Sequence, residues 1–285
     1  MNSTKIGLGS YAYSYAVGFP GFLPKRPLSA FDLVDKAAQL DLPVLQIADN
    51  CPLDKLSPAE LSELDAYARR HSIEMEVGTR GIGTEHLMRY IEIAKTLHAK
   101  LLRVVIDTAG HHPDFEEIIG LIARVLPLLT QNQIVLGIEN HDRFKARVFA
   151  DIVEAIDSPY VGIVLDTVNS FACEENTSQV TDVLARHTVN FHVKDFEIKR
   201  VENGMGLIVT GTPAGKGFLD IPEMERRLRV QARGDYSSVL ELWMAPEPGM
   251  EETIKKEDRW VKESVAYLKR VLREPGSNKR EENRR

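Results

Sequence analysis

The segment Ile134-Val135-Leu136-Gly137-Ile138-Glu139-Asn140 is a short apolar, β-branched run that ends abruptly on polar residues. A strand buried on both faces reads this way, because neither side needs to alternate with polar residues. The pattern recurs along the chain. Similar runs occupy residues 6–8, 44–47, 73–77 and 101–106 before it, and 161–165, 189–193 and 238–242 after it.

Between the runs lie segments of helical period. Phe115, Ile118, Ile119, Ile122, Val125, Leu126 and Leu129 share one face, and Val261, Val265, Leu268 and Leu272 share another. Ser57-Pro58-Ala59-Glu60 has the pattern of a capping box with proline at the first helical position, so a helix starts there. Eight strand candidates alternating with eight helical ones predict a single α/β domain, a (β/α)8 TIM barrel over residues 1–274. The rival is an open doubly wound sheet, which asks for a glycine-rich phosphate turn after the first strand. Gly7-Leu8-Gly9-Ser10-Tyr11 runs instead into aromatics and a loop. The last stretch, residues 275–285, is polar and highly charged and is expected to be a disordered tail.

Composition narrows the function classes. With 285 residues, 43% hydrophobic and 27% charged, the chain can bury a large core and is neither fibrous nor disordered. A net charge of -6 argues against a nucleic-acid partner, which would favour a basic surface. The most apolar stretch, residues 118–129, is interrupted by Arg124 and Pro127, so no membrane span is expected. The N-terminus lacks a basic region followed by an aliphatic one, and Cys51 and Cys173 are too few for a disulfide framework. A cytoplasmic location with reduced thiols is the expectation.

In a parallel barrel the residues closing the strands face one rim, where chemistry is done. Four successive strand ends present Glu139, Asp166, His192 and Glu241. Any one of them has an ordinary explanation; Asp166 before Thr167, for example, can cap a turn. Together they offer three carboxylates and one imidazole, a donor set that suits one divalent metal. Mn2+ or Mg2+ fits best and Co2+ or Zn2+ is tolerated, since no thiolate selects a softer ion. Lys194 lies two residues beyond His192 and points to the same face of a strand. It is a candidate to hold a substrate anion, with an ion pair to Glu139, Asp166 or Asp195 as the alternative. Further rim candidates for substrate binding are Asp49 and Asn50 after strand two, Arg80 after strand three, and Asp107, His111 and His112 after strand four. His141 after strand five and Asn169 after strand six complete the set. Arg103, a charge inside strand four, must be paired, and Glu76 on strand three is the expected partner.

The order Glu139, Asp166-Thr167, His192-Val193-Lys194-Asp195, Glu241 resembles the xylose isomerase-like TIM-barrel superfamily. So does the loop Pro213-Ala214-Gly215-Lys216-Gly217-Phe218-Leu219-Asp220. That group contains sugar isomerases, ketose 3-epimerases, inosose dehydratases and the endonuclease IV type of repair enzyme. The resemblance implies metal-assisted enediolate chemistry on a small carbohydrate or sugar acid. It also implies a catalytic role for Lys194 and for Glu139 and Glu241, which in the epimerases act as bases on opposite faces of the substrate. A homodimer or homotetramer is common in the group. Where many of its epimerases carry a histidine three residues after the strand-six aspartate, this chain has Asn169.

An isomerase or epimerase acting on a keto sugar or its acid is the first expectation, by a narrow margin. A lyase on the same scaffold is the alternative: loss of CO2 from a 3-oxo sugar acid, or dehydration of an inosose-like substrate. Gly9-Ser10-Tyr11-Ala12-Tyr13, Gln46-Ile47-Ala48-Asp49-Asn50 and Gly78-Thr79-Arg80-Gly81 are similar to a branch associated with decarboxylation of 3-oxo-isoapionate-like acids. A repair endonuclease needs a basic groove and many histidine ligands, and the acidic chain has eight histidines in all. The long interval between His192 and Glu241 holds the glycine-rich loop, which is expected to cover the metal site.

Overall fold

A computed structural model of the chain describes residues 4–202 and 204–272, so the expected tail, 275–285, lies outside the described residues. Its core is a closed parallel barrel. The strands are β1 (Thr4–Gly9), β2 (Val44–Ile47), β3 (Glu74–Arg80), β4 (Leu101–Val105), β5 (Val135–Glu139), β6 (Val161–Asp166), β7 (Thr188–Val193) and β10 (Tyr236–Leu240). Neighbours in sequence are neighbours in the barrel, and β10 closes it by pairing with β1. β10 ends two residues earlier than the apolar run suggests, leaving Glu241 just beyond the strand. A second sheet, β8 (Asp195–Arg200) with β9 (Leu207–Thr212), is an antiparallel hairpin inserted after β7.

Eight helices wrap the barrel: α2 (Ala30–Gln39), α3 (Pro58–Arg70), α4 (Thr84–Thr96), α5 (Phe115–Asn132), α6 (Ala146–Ile156), α7 (Thr177–Leu184), α8 (Ile221–Gln231) and α9 (Met250–Val271). A single extra turn, α1 (Ser14–Val17), follows β1. Local chemistry sets where several begin. Ser29 with Asp32, Ser57 with Glu60 and Asn176 with Gln179 form capping boxes for α2, α3 and α7, each satisfying otherwise orphaned N–H groups. Burial sets which face turns inward. Ile118, Ile122, Val125 and Leu129 of α5 and Val261, Val265 and Leu268 of α9 are all buried against the sheet.

The interval between His192 and Glu241 contains more than a loop. The hairpin β8–β9 fills its first part, and Gly211 N–H donates to the Trp243 carbonyl at 2.8 Å, stitching the hairpin to the segment after β10. A side chain at Gly211 would collide with that carbonyl. The glycine-rich loop, expected to cover the metal site, contributes no residue to the cavity lined by Lys194 and Asn169. Buried Asp195 captures it: its carboxylate accepts the N–H groups of Phe196, Gly215, Gly217 and Leu219 at 2.8 to 3.0 Å. Ala214 N–H donates to Ser264 Oγ at 2.9 Å, and Lys216 pairs with Glu263, so the loop is drawn toward α9.

Asp195→Ala would strand these buried main-chain donors, and we expect a loss of about 2–4 kcal/mol in urea unfolding. Limited proteolysis should then cut first within 207–220. A variant as stable and as protease-resistant as the parent would contradict this assignment.

Candidate metal centre and active site

Register brings the expected ligands to one level. Glu139 ends β5, Asp166 ends β6 and aligns with His192 of β7, and His192 aligns with Val239 of β10, two residues before Glu241. All four side chains are at most 1% exposed. One donor atom each from Glu139, Asp166 and His192 lies within 4.8 Å of the others. His192 Nδ1 is 3.4 Å from Glu139 Oε2, 3.6 Å from Glu241 Oε2 and 3.8 Å from Asp166 Oδ2.

The centre holds buried polar atoms that lack a directed hydrogen bond: His192 Nδ1, Asp166 Oδ2 and both oxygens of Glu241. Orphans of this kind are costly in a protein interior, and a cation bound among them would satisfy them together. Three carboxylates and an imidazole also form a chemically apt set for a divalent ion. The residues therefore fit the metal that the sequence suggests. Asp166 combines the two functions weighed for it. Its Oδ1 accepts the N–H groups of Val168 and Asn169 at 2.9 Å, capping the turn, while Oδ2 faces the centre.

Two cations balance the carboxylates. Lys194 Nζ lies 2.7 Å from Asp166 Oδ2 and 2.8 Å from Glu241 Oε2 and so forms an ion pair with both. Burial works to lower its pKa, but Asp166, Glu241 and Glu139 outweigh burial and raise it, so the side chain stays an ammonium. Arg103 does not pair with Glu76. It is almost fully buried and donates from Nε to Glu139 Oε2 and from Nη1 to Asp49 Oδ1 at 2.8 Å. Register explains the difference. Arg103 aligns with Gly78 on β3, two residues beyond Glu76, so Glu76 lies one layer deeper and bonds to Gln46 and Asn190 instead. Burial alone would raise the Glu139 pKa, yet Arg103 and His192 hold it well below the carboxylate range. The other Glu139 oxygen accepts from Asn169 Nδ2 at 2.7 Å.

The remaining rim candidates divide into two groups. Asp49, Arg80, His141 and Asn169 join the centre's network. Asp49 Oδ2 accepts from Arg80 Nε at 3.2 Å and from Tyr11 Oη at 3.1 Å, and His141 Nε2 is 3.5 Å from Arg80 Nη2. Asp107, His111 and His112 form a more peripheral set. Asp107 is held by Arg143 at 2.7 and 2.8 Å, His112 stands 3.6 Å from Asp107, and His111 bonds to Glu117 on α5. Asn50 is spent on Ser10, tying the β1 and β2 loops together.

A cavity of about 290 Å3 opens beside this network, and its lining includes Asn169, Lys194, Tyr11, Tyr15, Phe19 and Trp243. Tyr15 and Phe19 pack with Phe22 as an aromatic cluster, and Tyr15 Oη donates to the Met244 carbonyl at 2.9 Å. A larger cavity of about 590 Å3 lies between α7, the hairpin and α8, and none of the candidate site residues lines it. Tyr11, Arg103 as a partner of Glu139, and Trp243 are the contributors that reading strand ends missed. A charge inside an apolar strand was the available signal for Arg103, and aromatics directly after β1 were the signal for Tyr11.

Comparison with known proteins agrees with this geometry. The family model described as xylose isomerase-like TIM barrel matches residues 34–271. A 3-oxo-isoapionate decarboxylase of Pectobacterium atrosepticum is 35% identical over 274 residues, covering 96% of this chain and 98% of that protein. The D-psicose 3-epimerase of Clostridium cellulolyticum H10, solved with D-tagatose, superposes with a TM-score of 0.71 at 16% identity, covering 94% of this chain and 99% of that one. A xylose isomerase-like TIM barrel protein of Mycobacterium smegmatis in complex with magnesium gives 0.63 at 13% identity, over 94% and 100%. Both structures are similar in fold. The closed barrel, the carboxylate and imidazole centre and the extent of the match agree, and the chain belongs to the xylose isomerase-like TIM barrel family.

Proposed function

We propose that the chain is a divalent-metal-dependent carboxy-lyase that removes CO2 from a 3-oxo sugar acid. One observation carries this reading: both oxygens of Glu139 are occupied, one by Arg103 and one by Asn169. An epimerase needs a base on each face of the substrate, and a carboxylate whose pKa is strongly lowered and whose two oxygens each accept a donor is a weak base, although each oxygen keeps a second lone pair for a cation. Decarboxylation of a 3-oxo acid needs no base to begin. It needs a sink for the electron pair and one proton to complete it. The 35% identical relative that is a 3-oxo-isoapionate decarboxylase supports the same choice.

Glu139, Asp166, His192 and Glu241 would hold the cation, which when bound supplies polarisation of the substrate keto group and compensates the charge that develops there. The bond between the carboxyl carbon and the α-carbon breaks, CO2 departs, and the electron pair moves toward the keto oxygen, leaving an enediolate. Lys194, an ammonium lining the cavity, pairs with the oxygen on which negative charge develops, and a proton from solvent completes the α-carbon once CO2 has left. Tyr11, whose phenol is kept protonated chiefly by burial, lines the cavity, and Arg80, about a third exposed and joined to it through Asp49, would meet the substrate's anionic end. Tyr15, Phe19 and Trp243 form the apolar side of the cavity and limit access of water. Glu241, whose Oε1 has no donor, favours a second reading in which one base operates and the enzyme isomerises a keto sugar.

Mn2+ at about 100 times its Kd should stabilise the protein by about 2.7 kcal/mol in thermal unfolding. The shift should vanish in Asp166→Asn; a wild-type protein that shows none contradicts the metal assignment. With a 3-oxo sugar acid labelled with 13C at its carboxyl, the Mn2+-loaded enzyme should release the label as CO2. Lys194→Met should lower kcat about 100-fold or more, while Arg80→Met should act mainly on KM. Inversion at a carbon of the substrate without CO2 release would overturn the lyase reading.

A further inference from the structure

His192 has two ring nitrogens, and only one of them faces the carboxylate centre. Nδ1 points at Glu139, Asp166 and Glu241, whereas Nε2 points the other way and meets Gln46 Oε1 at 2.7 Å. Gln46 is a polar residue in the middle of the apolar strand β2 and is fully buried. Its amide is fixed at the other end. Nε2 of Gln46 donates to Glu76 Oε2 at 2.9 Å and to Asn190 Oδ1 at 3.3 Å, so both amide hydrogens are used. Asn190 Nδ2 in turn donates to Glu76 Oε2 at 3.0 Å, which leaves the Asn190 oxygen turned toward Gln46. With its hydrogens spent, Gln46 can present His192 with nothing but an acceptor.

We propose that Gln46, oriented by Glu76 and Asn190, is a positioning residue that holds His192 with hydrogen on Nε2 and so presents Nδ1 as the ligating nitrogen. The inference rests on the metal reading of the centre and extends it into the barrel floor. The carboxylate of Glu76 acts at one remove. It sets the direction of the Gln46 amide, the amide sets the imidazole tautomer, and the tautomer sets which nitrogen carries the free lone pair. Reversing the Gln46 amide would turn its carbonyl oxygen against both Glu76 Oε2 and Asn190 Oδ1, two acceptor–acceptor contacts in a buried site. The inward positions of β2, β3 and β7 are thus polar for a reason other than packing. Gln46 and Glu76 align across β2 and β3, and Asn190 lies two residues before His192 on the same face of β7.

The test uses the full chain and Mn2+ itself. Titration calorimetry of the wild type should show binding, and Gln46→Leu should weaken it about 10–100-fold. Gln46→Glu alone places a second carboxylate beside Glu76 and should bind poorly. Combining it with Glu76→Gln restores an acceptor facing His192 and a donor facing position 46, and should recover most of the affinity. A purely packing role predicts no such rescue. A readout that needs no variant is 15N NMR of the histidine-labelled wild type loaded with Zn2+. Hydrogen should be on Nε2 of His192 and the metal on Nδ1. Ligation through Nε2, or equal Mn2+ affinity of the wild type and Gln46→Leu, overturns the positioning role. Failure of the wild type to bind any divalent ion overturns the metal reading itself, and the inference with it.

Discussion

Arg103 is the group on which the centre depends. The barrel brings Glu139, Asp166 and Glu241 together around one imidazole, with Asp49 close by. Two like charges about 4 Å apart repel by about 4 kcal/mol at an effective dielectric near 20, so this cluster needs cations inside it. Arg103 bridges Glu139 and Asp49, and Lys194 lies against Asp166 and Glu241. Each cation thus spans two acids. The pairing also partitions the carboxylates chemically. Glu139 is committed to Arg103 and Asn169, whereas Glu241 is paired with Lys194 through Oε2 and keeps Oε1 without a donor. Two glutamates at equivalent strand ends are therefore not equivalent groups.

Much of this was legible in the sequence because a parallel barrel converts order into position. Every strand delivers its C-terminal end to the same rim, so Glu139, Asp166, His192 and Glu241, each at or within one residue of a strand end, fall together. Lys194 followed from the two-residue period of a strand. The partner of Arg103 was not legible in the same way. Adjacent strands identify neighbours, but height within the barrel depends on stagger, and Gly78, not Glu76, stands beside Arg103. The loop candidates were uneven for a related reason. Asp107, His111 and His112 sit on the expected rim, yet Arg143 and Glu117 draw Asp107 and His111 into contacts of their own.

The interval before β10 shows how a local polar group can redirect a motif. In the sequence Asp195 belongs to the His192-Val193-Lys194-Asp195 signature, and the glycine-rich loop is a separate motif. In the fold one explains the other, because the loop's N–H groups converge on the Asp195 carboxylate. The cavity wall is built elsewhere, from the aromatic segment after β1 and from Trp243 after Glu241. The hairpin β8–β9 is absent from the strand pattern read above, although Phe196 and Ile198 alternate with Asp195, Glu197 and Lys199 in its first strand.

The family scaffold supports isomerisation and decarboxylation through related enediolates, and the difference here turns on whether Glu139 can act as a base. The most direct measurement follows α-proton exchange and configuration at C3 by NMR, with Mn2+-loaded enzyme in D2O and ketoses that carry no carboxylate. With Glu139 held by Arg103 and Asn169, no inversion at C3 is expected on the timescale of turnover with a 3-oxo acid. Inversion with deuterium incorporation at that carbon would show two working bases and contradict the account.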